Sequence, residues 1–293
     1  MDILMCPKAT MYFGGNALST TFVLIVFIFA AIFSFAFTPA FIDIFERSGR
    51  LVKNYRGDMI AQGIGVMFPI LSLLWYSLYI VLVKNYSFDM LLIQLAIIMA
   101  CFIGFIDDML GTRDVLGLKG HFKSLLKGRL TTGALKAMIG LLVAFIISFS
   151  CTSRITEIIV NTLIIALFTN FFNLLDLRPG RAIKVYIIAF FAVLVSLILT
   201  HKAATIIPFI PLMGSVIGYM PYDLKAKSMM GDAGSNVLGM STGILVVLSC
   251  TWYVQLAVLA FLIGIHIYTE KYSLTVLIKN NRFLNFLDNL GRS

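Results

Sequence analysis

The chain has 293 residues, 60% of them hydrophobic and only 13% charged, with a mean hydropathy of +0.96 and a formal net charge of +9. Soluble domains carry about a quarter charged residues, so a soluble enzyme is excluded, and with no soluble basic domain nucleic acid is not the partner that the charge implies. The apolar runs are continuous rather than alternating, which argues against a β-barrel.

The pattern predicts an all-α, polytopic integral membrane helical bundle. Apolar stretches recur, each long enough to cross the roughly 30 Å of hydrocarbon in a bilayer. Nine spans are expected, at about 18–38, 60–82, 88–106, 134–150, 157–175, 184–200, 204–220, 235–250 and 252–268, the last two nearly continuous. The first span is long, follows 17 residues of mixed polarity with a single Lys, and does not look like a cleaved signal peptide, since no small-residue cleavage site stands out. With this N-terminus outside, only Lys8, Lys84, Arg154 and Lys202 of the 23 basic residues fall on the outer side. Lysine and arginine excess marks cytoplasmic loops. The positive charge is therefore assigned to the inner face, where it suits anionic lipid heads or phosphate substrates.

The first inner loop runs from Asp43 to Asp58 and enters Gln62-Gly63-Ile64-Gly65. Topological charge accounts for most of it. Glycines at a helix start permit close approach, either to a ligand or to another helix. The second inner loop opens on Asp107-Asp108 at the end of a span. Adjacent carboxylates repel, which favours a bound cation or one protonated partner. A hard cation that takes carboxylates together with substrate phosphates, Mg²⁺, is the natural expectation. Further on, Lys119, Lys123 and Lys127 are four apart, so a helix would align them in a stripe. That stripe reads as a phosphate contact or as a solvated basic face.

Asn170, Asn173 and Asp176 follow at i, i+3 and i+6 and share one helical face at the next inner end. Such a face orients a base, a sugar or a metal, or else joins helices through hydrogen bonds. Arg178-Pro179-Gly180-Arg181 then breaks the helix. The fourth inner loop ends in Met230-Gly231-Asp232-Ala233-Gly234-Ser235 just before a span. Helix-start amides and glycines can receive phosphate oxygens, with Asp232 as a metal ligand. Alternatively, Asp232 and Ser235 serve as helix caps. His266 lies near the end of the last span and is either a site residue or structural. Residues 269–293 carry Phe283, Leu284, Leu287 and Leu290 at helical spacing, and form an expected amphipathic tail on the inner surface. Cys6, Cys101, Cys151 and Cys250 have no metal-binding spacing. One domain, 1–293, is expected.

From about Asp43 to Glu270, the order of these motifs resembles the polyprenyl-phosphate N-acetylhexosamine-1-phosphate transferases, which include phospho-N-acetylmuramoyl-pentapeptide transferase and relatives in teichoic acid and O-antigen synthesis. The resemblance rests on Asp107-Asp108, on Asn170-x-x-Asn173-x-x-Asp176 and on Met230-Gly-Asp-x-Gly-Ser235. It implies a Mg²⁺-dependent enzyme of the plasma membrane, of bacterial inner-membrane type, with its active site on the cytoplasmic face. A polyprenyl phosphate attacks the β-phosphate of a UDP-sugar, and UMP leaves. Asp107, Asp108 and Asp232 would be the catalytic residues, with Asp232, Asp107 and Asp176 about the metal. Lys119, Lys123, Asn170, Asn173, Asp176, Gly231, Gly234, Ser235 and His266 would contact substrate. A homodimer is left open.

The chain departs from the family pattern in two places. Arg178, Pro179 and Arg181 stand where relatives continue Gly-Leu-Asp-Gly-Leu, and a late His-rich motif is reduced to His266. A second hypothesis follows: a relative that binds polyprenyl phosphate or a lipid-linked sugar without turnover, as a regulator or scaffold. A transporter would need polar groups near the midplane. These clusters sit at one edge, and no internal repeat is evident.

Overall fold

The structure is a computed structural model that describes residues 20–83, 87–111, 124 and 128–292. Eleven α-helices are found among the described residues: α1 Thr20–Arg47, α2 Met67–Val83, α3 Phe88–Leu110, α4 Thr132–Cys151, α5 Ile155–Leu175, α6 Arg181–Leu199, α7 Ile210–Leu224, α8 Gly231–Ser249, α9 Trp252–Thr269, α10 Leu274–Asn280 and α11 Arg282–Asn289. The all-α membrane bundle expected from the sequence is the observed architecture. Eight helical segments are long and apolar enough to cross a bilayer, and their outer faces expose Leu24, Ile28, Leu142, Phe145, Ile188 and Phe191.

α8, the eighth expected span, is of a different kind. Its 19 residues would reach about 28 Å, but nine of them are Gly, Ser, Thr or Asn. It needs no lipid-compatible surface, because nearly every side chain from Gly231 to Val247 is buried. α3, α5 and α6 surround it. The glycines explain how these helices come so close. A Cβ on Gly239 would stand 2.5 Å from the Phe168 carbonyl oxygen of α5, and one on Gly104 of α3 would stand 2.2 Å from the Asp232 carbonyl oxygen.

α1 continues well past the expected end of its span, through Pro39 to Arg47. A proline inside a helix leaves the carbonyl four residues back without its N–H. Here that carbonyl belongs to Phe35, and the Tyr222 hydroxyl of α7 donates to it at 3.0 Å. The same two helices meet through Gly214 and Gly218, where a Cβ would lie 2.5 Å from the Phe27 carbonyl and 2.2 Å from the Ala31 carbonyl. Small residues four apart let helices pack backbone to backbone where lipid supplies no hydrophobic drive. The Ser34 hydroxyl closes the contact by donating to the Ser215 carbonyl at 2.5 Å.

At one end of the bundle lies a small sheet with no counterpart in the expected elements. β1 (Leu51–Lys53) and β2 (Met59–Gln62) form an antiparallel hairpin. β3 (Ser228–Met229) adds in parallel, pairing Ala61 with Ser228 and Gln62 with Met229. The first residues of the span expected at 60–82 are therefore strand and a short 3-10 turn, Ile64–Val66. The sheet fastens the segment before α8 to the segment before α2. The ends of α3, α5, α7 and α9 and the starts of α4, α6 and α8 converge here; this is called the site end below.

Candidate functional site

Asp107 and Asp108 are consecutive in the last turn of α3, so their side chains diverge, and the structure gives them different partners. Asp108 faces the start of α8. Its Oδ1 accepts the Asp232 amide and its Oδ2 the Ala233 amide, both at 3.0 Å. Gln62 Nε2, placed by β2, donates to Oδ1 at 2.7 Å. A helix N-terminus exposes unsatisfied amides and a partial positive charge, and Asp108 answers both from a neighbouring helix. Gly231 makes the approach possible. Its φ is +69°, a backbone conformation costly for any L side chain, and a Cβ there would stand 2.4 Å from Asp108 Oδ2.

Asp107 turns the other way. Its Oδ2 accepts from Lys136 Nζ at 2.8 Å, and the same ammonium donates to Asp232 Oδ2. Lys136 lies in the first turns of α4, whose start is capped by Thr131: the Thr131 hydroxyl accepts the Ala134 amide at 3.1 Å. Three helices, α3, α4 and α8, thus bring one cation between two carboxylates. The side chains of Lys136, Asp107 and Asp232 retain 21%, 19% and 31% exposure. The cluster is sheltered but reachable.

A fourth helix, α5, joins it. The Ser235 hydroxyl of α8 donates to Asn173 Oδ1 of α5, which ties two of the residues singled out in the sequence. Asp176 caps the end of α5 and is half-buried. Burial raises its pKa well above the carboxylate range, and the carboxylates of Asp223, Asp232 and Asp108 raise it further. Asp223, near the end of α7, accepts the Gly180 amide at 2.6 Å and so holds the turn that starts α6. Gly234 packs against Gly65, whose added Cβ would stand 2.2 Å from the Gly234 Cα.

Of the remaining expected residues, neither Asn170 nor His266 has a hydrogen bond to this cluster among the described residues. Asn170 is exposed on α5. His266 Nδ1 contacts the Leu262 carbonyl one turn back at 2.7 Å. Lys119 and Lys123 lie outside the described residues. Conversely, Lys136, Gln62 and Asp223 belong to the site end and were not singled out. In the sequence Lys136 is one of the basic residues assigned to the inner face. A lysine just inside an apolar span was the available signal, since burying that ammonium calls for a partner.

Among the described residues, no three acidic, histidine or cysteine side chains converge as a metal-ligating group. Two suffice for Mg²⁺, which takes one or two carboxylates and completes its shell with phosphates and water. Asp107 and Asp232 fit that role: both offer hard oxygens to one cation already, the Lys136 ammonium. Asp108 does not, because its oxygens are taken by two amides and Gln62.

With this geometry in hand, two comparisons with known proteins bear on the chain. The family model described as glycosyl transferase family 4 matches residues 90–250, from α3 to the end of α8. No curated protein matches the chain.

Proposed function

For a chain that belongs to glycosyl transferase family 4, matched over more than half of its length, we propose the transfer of a sugar-1-phosphate from a UDP-sugar to polyprenyl phosphate. Phospho-sugar transfer to a lipid carrier is the family's general activity. The finer reading gives the sugar as an N-acetylhexosamine and places the site on the cytoplasmic side of a plasma membrane. A lipid phosphate oxygen forms a bond to the β-phosphorus of the nucleotide sugar. The bond from that phosphorus to the bridging oxygen breaks, and UMP departs with the electron pair. A polyprenyl diphospho-sugar remains in the bilayer.

The observation that carries this reading is the convergence of Asp107, Asp232 and Lys136 beside the amides clasped by Asp108. Phosphoryl transfer is mostly a matter of positioning and charge neutralisation. Lys136 offers a positive charge to phosphate oxygens. Asp108 fixes the α8 N-terminus and hence the direction of Asp232. Asp107 and Asp232 would hold Mg²⁺, which when bound neutralises charge on the pyrophosphate bridge. Asn173, set by Ser235, offers its amide donors to the nucleotide or sugar. The tail, with Phe283, Phe286 and Leu290 exposed, suits the membrane surface.

The reading is tested by UMP release from purified protein given undecaprenyl phosphate, Mg²⁺ and a panel of UDP-sugars. Release that needs both lipid and metal supports it. The second reading, binding without turnover, is favoured by Arg178 and Pro179 in the turn after α5. Nucleotide-sugar binding with no UMP released would establish that alternative.

A further inference from the structure

A second polar site lies at the same end of the bundle and shares no lining residue with the acidic cluster. It is a cavity of about 340 Å³ between the tip of the β1–β2 hairpin, the turn before α6 and helices α10 and α11. Five cationic side chains line it and only one carboxylate, Asp288. That carboxylate is already committed. Arg181 holds it through two hydrogen bonds, at 2.7 and 3.0 Å, and gives its third nitrogen to the Thr275 hydroxyl at 3.0 Å. Arg292 grips it from the other side, at 3.1 and 3.2 Å, and also donates to the Pro179 carbonyl. Asp288 is 8% exposed. These three residues frame the cavity and have little left to offer a ligand.

Of the other cations, Arg56 is also engaged, donating from Nε to the Tyr55 hydroxyl at 2.8 Å. The Arg178 and Arg56 guanidinium carbons lie 5.0 and 5.1 Å from the centroid of one ring, Tyr55. Two like charges are therefore held around a single aromatic group, and Lys279 also lines the cavity. Among the described ion pairs, Arg178 has no carboxylate partner. Like charges gathered around one cavity repel, and an anion entering it relieves the repulsion. Guanidinium groups match the geometry of phosphate oxygens and can bond them in pairs.

We propose that this cavity is a binding site for a phosphate group, separate from the acidic cluster, with Arg178, Arg56 and Lys279 as its contacts. The ligand is a phosphomonoester or diphosphate, free in solution or carried on a lipid headgroup. The proposal stands whether or not the acidic cluster performs the transfer described above.

The test is native mass spectrometry of the full chain in detergent, with inorganic pyrophosphate, dioctanoyl phosphatidate and, as control, dioctanoyl phosphatidylcholine. Pyrophosphate, phosphatidate or both should bind in excess of phosphatidylcholine. Pyrophosphate alone identifies a soluble phosphate ligand, and phosphatidate alone a lipid headgroup. The R178Q/K279Q double variant should bind at least about tenfold more weakly, the loss expected when charge-assisted hydrogen bonds are removed. R56Q, assayed independently in case that variant does not purify, should weaken binding in the same direction. D232N should bind as the unaltered chain does. The proposal is overturned if neither phosphate probe exceeds the control, if the charge-removing variants bind like the unaltered chain, or if D232N loses binding to the same extent.

Discussion

Lys136 neutralises two carboxylates that would otherwise repel across the gap between α3 and α8. K136M should therefore disturb both Asp107 and Asp232, lowering turnover by at least about a hundredfold if the ammonium also meets phosphate. Turnover equal to that of the unaltered chain would remove Lys136 from the mechanism. G231A meets two obstacles, a left-handed backbone and the Asp108 carboxylate 2.4 Å from the new Cβ. A loss of about 1–2 kcal/mol is expected from the backbone alone, read as a lower unfolding midpoint. Asp176 gives a pH prediction. Its pKa is raised in the folded protein by burial and by neighbouring carboxylates, so the folded state binds more protons there than the unfolded chain. Its contribution to stability must fall as pH rises above the ordinary carboxylate range. In D176N the decline in melting temperature between pH 5 and pH 8 should be shallower; an unchanged slope would show that the carboxyl is not the cause. Asp107, Asp108, Asp176 and Asp232 were conspicuous in the sequence because charge at the edge of hydrocarbon is costly. Lys136 and Gln62 were not, because one lysine or glutamine near a helix start has many ordinary uses and only tertiary contact selects among them.

At the scale of elements, the helices were legible and the packing between them was not. Hydropathy marks segments that meet lipid, and it located the spans to within a few residues at most ends. It describes α8 poorly, because a helix enclosed by other helices is selected for small size rather than for apolarity. The strands are two to four residues long, too short for alternation to register. The tertiary role of each glycine was also hidden, and substitution separates them. G239A brings a methyl group to 2.5 Å from the Phe168 carbonyl oxygen, whereas G140A on α4 meets nothing within 4 Å. Overpacking costs about 1–3 kcal/mol. G239A should lower the unfolding midpoint and G140A should leave it unchanged or raise it slightly. Equal effects would contradict the position assigned to α8.

Over the whole molecule, the basic residues indicated which loops share a face, and the contacts between Gln62, Asp108, Lys136 and Asp232 bring those loops to one end. The tail shows where sequence reading stops. Arg181 and Asp288 are 107 positions apart, and no local pattern announces their pairing. Asp288 is held at about 2: burial alone would raise its pKa, but hydrogen bonds from Arg181 and Arg292 outweigh it. Removing one partner of a buried ion pair strands the other charge, at a cost of about 3–5 kcal/mol. D288A should free α10 and α11 and make residues 269–293 sensitive to limited proteolysis; a tail as resistant as before would show that the clamp does not secure it. The central claim is that Asp232, aimed by Asp108 and paired with Lys136, belongs to a phospho-sugar transfer centre. The most direct measurement is UMP release by the unaltered chain and by D232N, with undecaprenyl phosphate, Mg²⁺ and a panel of UDP-sugars. The account predicts release from the unaltered chain that needs lipid and metal, and none from a folded D232N. Release undiminished in D232N would contradict it.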